Sequence, residues 1–243
     1  MELQALIFDV DGTLAETERD GHRPAFNAAF AEAGLAWKWD TDLYGQLLRI
    51  AGGKERIRHY AQLRDPARAA RPDFDALVLR LHALKTRHYL TYLEAGAVRL
   101  RPGVTRLLEA ARAAGLRLAV ATTTTPINVS TLLRSRLGVA ALDWFEVIAA
   151  GDVVAAKKPA ADIYTYCLAQ LGLPASACLA IEDSASGLAA SHAAGIATVV
   201  TPSEYTQGQD FGTARAVLPD LSGLALAQLD HLMARPQGAA LFA

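Results

Sequence analysis

The stretch QALIFDVDGTL, residues 4–14, decides the fold. Its first half is a short, continuously apolar run, which is typical of a strand buried on both faces of a parallel sheet. Its second half places Asp9 and Asp11 where that strand ends, and Gly12 permits a tight turn there. Ligands of open α/β sheets bind at the carboxyl ends of the strands, so this stretch predicts both a sheet and a candidate site.

Four further apolar runs predict strands, at residues 117–121, 147–149, 178–181 and 197–200. Helical patterns lie before and between them, at residues 104–114, 127–137, 162–171 and 184–194. Strands that alternate with helices across short joins predict an α/β fold with a mostly parallel, Rossmann-like sheet.

The first and second predicted strands are separated by residues 15–100, far more than a single connection needs. That span contains helical patterns and no convincing strand; the patterns cover residues 24–33, 41–50, 55–63 and 74–93. We therefore expect an inserted all-helical cap, from which the chain returns at Arg101-Pro102-Gly103. The predicted domains are a discontinuous α/β core, residues 1–15 and 98–243, and a helical cap, residues 16–97.

Composition narrows the class of protein. Hydrophobic residues make up 52% of the 243 residues and charged residues 20%, which excludes a disordered chain. The net charge of -1 argues against a nucleic-acid partner, and two cysteines exclude a disulfide framework. The amino terminus lacks the pattern of a signal peptide, and no apolar run reaches membrane-spanning length. We expect a cytoplasmic protein without a membrane partner, with a monomer favoured, and we assign residues 236–243 no function.

Polar residues follow three more predicted strands. Threonines occupy residues 122–125 after the second, Lys157 and Lys158 follow the third, and residues 182–184 (Glu-Asp-Ser) follow the fourth. Each motif alone has an ordinary explanation: an Asp-Gly turn, helix capping by threonine, serine or aspartate, or a solvated lysine pair. A parallel sheet, however, brings all these ends to one edge.

A common site at that edge would suit phosphate chemistry. A carboxylate can act as a nucleophile or as a ligand of Mg²⁺. Hydroxyls and free N–H groups at a helix start bind anions, and a lysine neutralises phosphate charge.

In this order along the chain, the motifs resemble those of the haloacid dehalogenase-like superfamily of phosphotransferases. The resemblance covers nearly the whole chain, because a helical insertion after the first strand is also a family feature. It implies that Asp9 is the nucleophile and Asp11 the general acid and base, and that Thr122 and Lys158 hold the transferring phosphate. A carboxylate at Asp11 favours phosphate chemistry over dehalogenation.

The same resemblance implies Mg²⁺ as the cofactor. Its ligands would be Asp9, the backbone carbonyl of Asp11, and Asp183, with Glu182 close by.

Shorter motifs resemble the CbbY-type sugar bisphosphatases; they lie at residues 16–30, 52–57, 82–89, 121–129 and 201–211. That family removes a phosphate from xylulose-1,5-bisphosphate, an inhibitory by-product of Rubisco in the Calvin–Benson cycle. The resemblance implies a small phosphosugar as the partner. The implied substrate contacts, beyond Thr122 and Lys158, are Glu18, His22, Lys54, Lys85, Thr123 and Thr124.

Three other functions stay open at this point. β-Phosphoglucomutase and phosphoglycolate phosphatase activities would use the same core, although Thr125 stands where the mutases carry a lysine for the second phosphate. A non-catalytic regulator on the same scaffold is more distant, since such a protein need not retain Asp9, Asp11, Lys158 and Asp183. The basic residues of the insertion are equally explained as solvated charges.

Overall fold

The computed structural model describes residues 3–50 and 52–234. The chain divides into two compact units: the first is Met1–Thr17 with Arg99–Ala243, and the second is Glu18–Val98. The boundaries between the two domains were predicted from the sequence after residues 15 and 97. The predicted functionless tail, residues 236–243, lies outside the described residues.

The first unit is built on one six-stranded sheet. Its strands are β1 (Ala5–Phe8), β2 (Arg117–Ala121), β3 (Phe145–Ala149), β4 (Cys178–Glu182), β5 (Ala197–Val200) and β6 (Ala216–Val217). Their order is β3-β2-β1-β4-β5-β6, and every neighbouring pair is parallel. β1 lies between β2 and β4, with Ala5 opposite Arg117 and Cys178, and all its residues are buried. The predicted fold class is confirmed.

The sheet departs from the prediction at its two edges. β6 was not predicted, because two residues, one of them the 43% exposed Val217, show no periodicity. β3 begins at Phe145 rather than at residue 147, because the exposed Glu146 interrupts the apolar run.

The second unit is helical. A π-helical turn, Glu18–His22, leads into α1 (Arg23–Glu32), α2 (Thr41–Leu47), α3 (Gly53–Arg64), α4 (Pro66–Ala69) and α5 (Phe74–Glu94). α2 ends three residues before its predicted end, and the short α4 was not predicted. Neither residues 18–50 nor 52–98 form a strand. Packed aromatic rings fill the centre of this unit, among them Phe26, Phe30, Trp39 and Tyr44.

Helices of the first unit cover its sheet. They are α6 (Val104–Ala113), α7 (Pro126–Leu137), α8 (Asp162–Leu171), α9 (Ala185–Ala193) and α10 (Leu226–Ala234), with 3₁₀ turns at Val139–Trp144 and Ala175–Ala177. On one face, Ile163, Tyr164 and Cys167 of α8 pack against the alternate residues Ala5 and Ile7 of β1. Of the helices described, none is both long and apolar enough to cross a membrane.

Two glycines with similar backbone conformations flank α6. Gly103 precedes the helix with a φ of 83°, and Gly115 follows it with a φ of 78°. A Cβ on Gly103 would lie 2.2 Å from the backbone carbonyl carbon of Leu221, whereas one on Gly115 would meet no atom within 4 Å. Gly103 thus allows the loop around Leu221 to pack directly on the start of α6.

We expect Gly103→Ala to lower the free energy of unfolding by more than Gly115→Ala. Both substitutions incur the left-handed backbone penalty of about 1–2 kcal/mol. Only Gly103→Ala also forces the backbone of Leu221 to move. Denaturant unfolding of both variants measures the difference, and equal losses would contradict the close packing at Gly103.

Candidate active site

The ends of three adjacent strands bring the predicted polar residues to one edge of the sheet. Asp9 follows β1, Thr122 follows β2, and Asp183 follows β4. The sheet pattern continues one step past the strands, because the Asp9 N–H donates to Ile181 and the Thr122 N–H donates to Ala149, both at 3.0 Å. The parallel sheet therefore fixes the spacing of these residues.

Lys158 reaches this edge from the loop between β3 and α8. Its ammonium nitrogen lies 2.6 Å from carboxylate oxygens of both Asp9 and Glu182, and it donates to the Ala121 carbonyl at 2.9 Å. Burial alone would lower the pKa of Lys158, but the two carboxylates outweigh it and raise that pKa above its usual value. Lys158 is therefore a charged group at neutral pH.

Three buried carboxylates surround this ammonium. Asp9, Glu182 and Asp183 each offer an oxygen within 4.8 Å of the other two. Burial, with the charge of Asp9 added, raises the pKa of Glu182 to about 7, although Lys158 opposes the shift. Burial and the neighbouring carboxylates Asp9 and Glu182 also raise the pKa of Asp183. One ammonium does not balance three carboxylates, so the cluster is short of positive charge.

This cluster fits a hard divalent cation. Its donors are carboxylate oxygens, which suit Mg²⁺, and neither histidine nor cysteine, which zinc prefers, belongs to it within the described residues. The Asp11 side chain does not belong to this cluster. The family resemblance implied only the backbone carbonyl of Asp11 as a metal ligand. Its half-buried carboxylate instead accepts a hydrogen bond of 2.5 Å from the hydroxyl of Thr17.

Two residues that the sequence did not indicate fix Glu182. The buried hydroxyl of Tyr164 donates to the Glu182 carboxylate at 2.5 Å, and the Tyr164 ring lies 5.2 Å from the Lys158 ammonium. A Cβ on Gly187 would lie 2.0 Å from the Glu182 carboxyl carbon. Tyr164 is part of an apolar helical pattern and Gly187 of a run of small residues, so neither carries a distinguishing signal.

The threonine loop presents hydroxyls beside Asp9. Thr122 is buried, and its hydroxyl oxygen accepts from the Thr124 N–H at 3.3 Å. The side-chain amide of Asn128 donates to the Thr124 hydroxyl at 3.0 Å, and Thr123 is exposed. Thr125 occupies the N-cap position of α7 without a side-chain capping bond. Ser184, in contrast, does cap α9 by accepting from the Gly187 N–H.

The remaining predicted contacts, Glu18, His22, Lys54 and Lys85, belong to the second unit. The buried His22 ring stacks on Tyr89 with 3.9 Å between ring centroids. The buried Lys85 ammonium lies 5.2 Å from the centroids of both the Tyr89 and Phe26 rings. Glu18 accepts a hydrogen bond from the Tyr44 hydroxyl and lies 3.8 Å from Arg56.

Positive charge is concentrated in this part of the second unit. Burial first, then Lys85, lowers the pKa of His22. Burial, Lys85 and Lys54 lower the pKa of His82, a residue that the sequence did not single out. His22, Lys54, His82 and Lys85 are thus electrostatic neighbours, and we call them the basic cluster. The lowered pKa values leave both histidines neutral at pH 7, so the two lysines carry the charge.

Comparison with known proteins now decides the family. The sequence profile of haloacid dehalogenase-like hydrolases matches residues 3–195. The chain belongs to this family. It is 52% identical to protein CbbY of Rhodobacter capsulatus over 233 residues, which are 96% of this chain and 100% of that protein. The predictions of the family, of its CbbY-type branch and of a hydrolase are confirmed.

Solved structures agree with this assignment. The crystal structure of CbbY from Rhodobacter sphaeroides in complex with phosphate has a TM-score of 0.85 and 44% identity, covering 94% of this chain and 99% of the other. A mutant of CbbY from the same organism, in complex with xylulose-(1,5)bisphosphate, has a TM-score of 0.84 and 43% identity, covering 93% and 99%.

We expect Gly187→Ala to destabilise the protein, against the usual preference of helices for alanine. In an ordinary helix interior this change stabilises by about 1 kcal/mol. Here the added methyl would displace the Glu182 carboxylate and with it a partner of Lys158. Thermal unfolding should show a lower midpoint, while the control Ser186→Ala, at an exposed position of α9, should leave it nearly unchanged. A raised midpoint for Gly187→Ala would refute this packing.

Proposed function

We propose that this chain is a Mg²⁺-dependent phosphatase of a small sugar phosphate, with xylulose-1,5-bisphosphate as the substrate. The observation that carries the proposal is the buried Lys158 ammonium, held between Asp9 and Glu182 at the carboxyl edge of the sheet. The CbbY structures from Rhodobacter sphaeroides, one with phosphate and one with xylulose-(1,5)bisphosphate, support the substrate class.

In the first half of the reaction, a carboxylate oxygen of Asp9 attacks the phosphorus. The bond between phosphorus and the sugar oxygen breaks, and Asp11 donates a proton to the departing oxygen. The product on the protein is an aspartyl phosphate. In the second half, Asp11 takes a proton from water, which attacks the phosphorus and frees the Asp9 carboxylate.

Charge neutralisation is the main task of the other residues, because a carboxylate and a phosphate repel each other. Lys158 offsets the negative charge of both groups, and the Thr122 hydroxyl and loop N–H groups bind phosphate oxygens. Asp9, Asp183 and the backbone carbonyl of Asp11, with Glu182 beside them, would hold Mg²⁺. When bound, that ion supplies Lewis-acid stabilisation of the phosphate oxygens.

Asp11 is placed differently from the other carboxylates, which suits a proton-transfer role. It is half-buried rather than buried, so it can exchange protons with water. Its hydrogen bond from Thr17 restrains the orientation of the carboxylate. Asp9, in contrast, is buried, and burial raises its pKa. The Lys158 ammonium, 2.6 Å away, opposes that shift and favours the ionised, nucleophilic form of Asp9.

The basic cluster is proposed to bind the phosphate that is not transferred. Glu18 of the same unit would accept hydrogen bonds from sugar hydroxyls, while Lys54 and Lys85 supply charge. Lys54 follows Gly52 and Gly53 at the start of α3 and is only half-buried, so it is available to a ligand.

A panel of sugar monophosphates and bisphosphates, 2-phosphoglycolate and β-glucose-1-phosphate, assayed with Mg²⁺ and after chelation, tests the proposal. We expect phosphate release to be fastest from xylulose-1,5-bisphosphate and to stop when EDTA removes the metal. Isomerisation of β-glucose-1-phosphate, or preference for phosphoglycolate, would replace the proposed activity with the corresponding alternative. Full turnover after exhaustive chelation would refute the metal requirement.

The Asp9→Asn and Asp11→Asn variants should show different kinetic defects. Asp9→Asn removes the nucleophile and should abolish turnover of every substrate. Asp11→Asn should slow sugar phosphates by about 10²–10⁴-fold, the usual contribution of general acid–base catalysis. The first step on an aryl phosphate should suffer less, because its leaving group needs little protonation. Burst kinetics with both substrate types separates the steps, and an equal loss on both would contradict the role of Asp11.

Lys54→Ala should weaken selection for a second phosphate. One ordered charge-assisted contact corresponds to about tenfold to a hundredfold in kcat/KM. We expect a loss of that size on xylulose-1,5-bisphosphate and little loss on xylulose-5-phosphate. Lys38→Ala, at an exposed position in the same unit, is the control. If Lys54→Ala lowers both substrates by the same factor, Lys54 does not contact the second phosphate.

A further inference from the structure

Arg101, in the segment that returns from the second unit to α6, has its side chain buried among backbone carbonyls of the first unit. Its guanidinium donates to carbonyl oxygens of three separate loops: Gly12, Thr201 (2.5 Å), Pro202 (2.9 Å) and Pro219 (3.2 Å). Its Nε lies 3.2 Å from the Glu16 carboxylate, which balances the charge. Arg101 has no role in the proposed reaction steps.

The loops that Arg101 joins lie on both sides of β4. Gly12 follows β1 and Thr201 follows β5, and β4 lies between those two strands in the sheet. A single nitrogen, Nη1, donates to both carbonyls. The guanidinium therefore spans the carboxyl end of β4, where Glu182 is the last strand residue and Asp183 follows it.

These two loops form the walls around the Asp183 carboxylate. A Cβ on Gly12 would lie 2.1 Å from an Asp183 carboxylate oxygen and 3.1 Å from the Ser203 side chain. On the other wall, the Thr206 hydroxyl donates to Asp183 at 3.4 Å. Both loops therefore lie directly against the Asp183 carboxylate.

We infer that Arg101 is a positioning residue for the carboxylate cluster: it fixes the separation of the loops after β1 and β5, and so places Asp183 for metal binding. The inference rests on the proposed function. It predicts a specific requirement for arginine, because a planar guanidinium holds five N–H donors on three nitrogens in a fixed fork, whereas an ammonium has three donors on one nitrogen.

Arg106 provides a matched control in the same unit. Its guanidinium donates to three backbone carbonyls, those of Leu221, Ser222 and Leu224, at 2.7–3.0 Å. It thus anchors a loop in the same way as Arg101, but that loop has no contact with the carboxylate cluster among the bonds described. Arg106→Lys removes such an anchor without touching the loops around Asp183.

The experiment compares Arg101→Lys and Arg106→Lys with the wild type. Calorimetry measures the Mg²⁺ dissociation constant without substrate, thermal unfolding without metal measures stability, and steady-state kinetics at saturating Mg²⁺ gives kcat and KM. We expect Arg101→Lys to weaken Mg²⁺ binding by about tenfold to a hundredfold, as for other residues that orient metal ligands. Its kcat should fall with a smaller change in KM, whereas Arg106→Lys should keep both within about twofold.

The outcomes separate this inference from the proposed function. If Arg101→Lys binds Mg²⁺ and turns over like the wild type, or if Arg106→Lys loses as much, Arg101 is only a structural anchor and the inference is wrong. If the wild type itself neither binds Mg²⁺ nor hydrolyses sugar phosphates, the proposed function fails instead. Should Arg101→Lys not fold, Arg101→Gln provides the same comparison with a planar, uncharged donor.

Discussion

The dominant constraint in the first unit is the burial of three carboxylates around one ammonium. Asp9, Glu182 and Asp183 repel one another at this distance, and burial removes the water that would screen them. Lys158 offsets part of this charge, and Tyr164 supplies a hydrogen bond to Glu182. The excess negative charge that remains at this edge of the sheet destabilises the fold. Under the proposed function, a bound cation would offset this negative charge, and metal binding would therefore raise fold stability.

In the second unit, aromatic rings stabilise a buried positive charge. The Lys85 ammonium lies above two aromatic rings, whose faces attract the buried cation. The Glu18 carboxylate accepts a hydrogen bond from Tyr44 and lies 3.8 Å from Arg56. The two units therefore present opposite electrostatic character, acidic at the sheet edge and basic in the helical insertion.

The sequence predicted the parts of the site that depend on the strand ends. Asp9, Thr122 and Asp183 follow apolar runs directly, so the parallel sheet alone places them together. Tyr164, Gly187 and Arg101 could not be predicted, because each acts on a residue distant in the sequence or in another element and looks locally like helix filler or loop. The sequence did not predict β6 for a related reason. Its two residues form a strand only through pairing with β5, which the local sequence does not indicate. His82 lies in the CbbY-like motif at residues 82–89, but only the fold shows that Lys54 and Lys85 are its neighbours.

The sheet order has a consequence for how the chain is made. β1 leaves the ribosome first, yet its partners β2 and β4 follow only after the whole second unit has been synthesised. The helices of that unit rest on local contacts and can form early, whereas the backbone N–H and C=O groups on both edges of β1 have no strand partner until β2 and β4 are made. Asp183, the last of the three carboxylates, emerges with the end of β4. The proposed cation site is thus complete only after Asp183 has been translated.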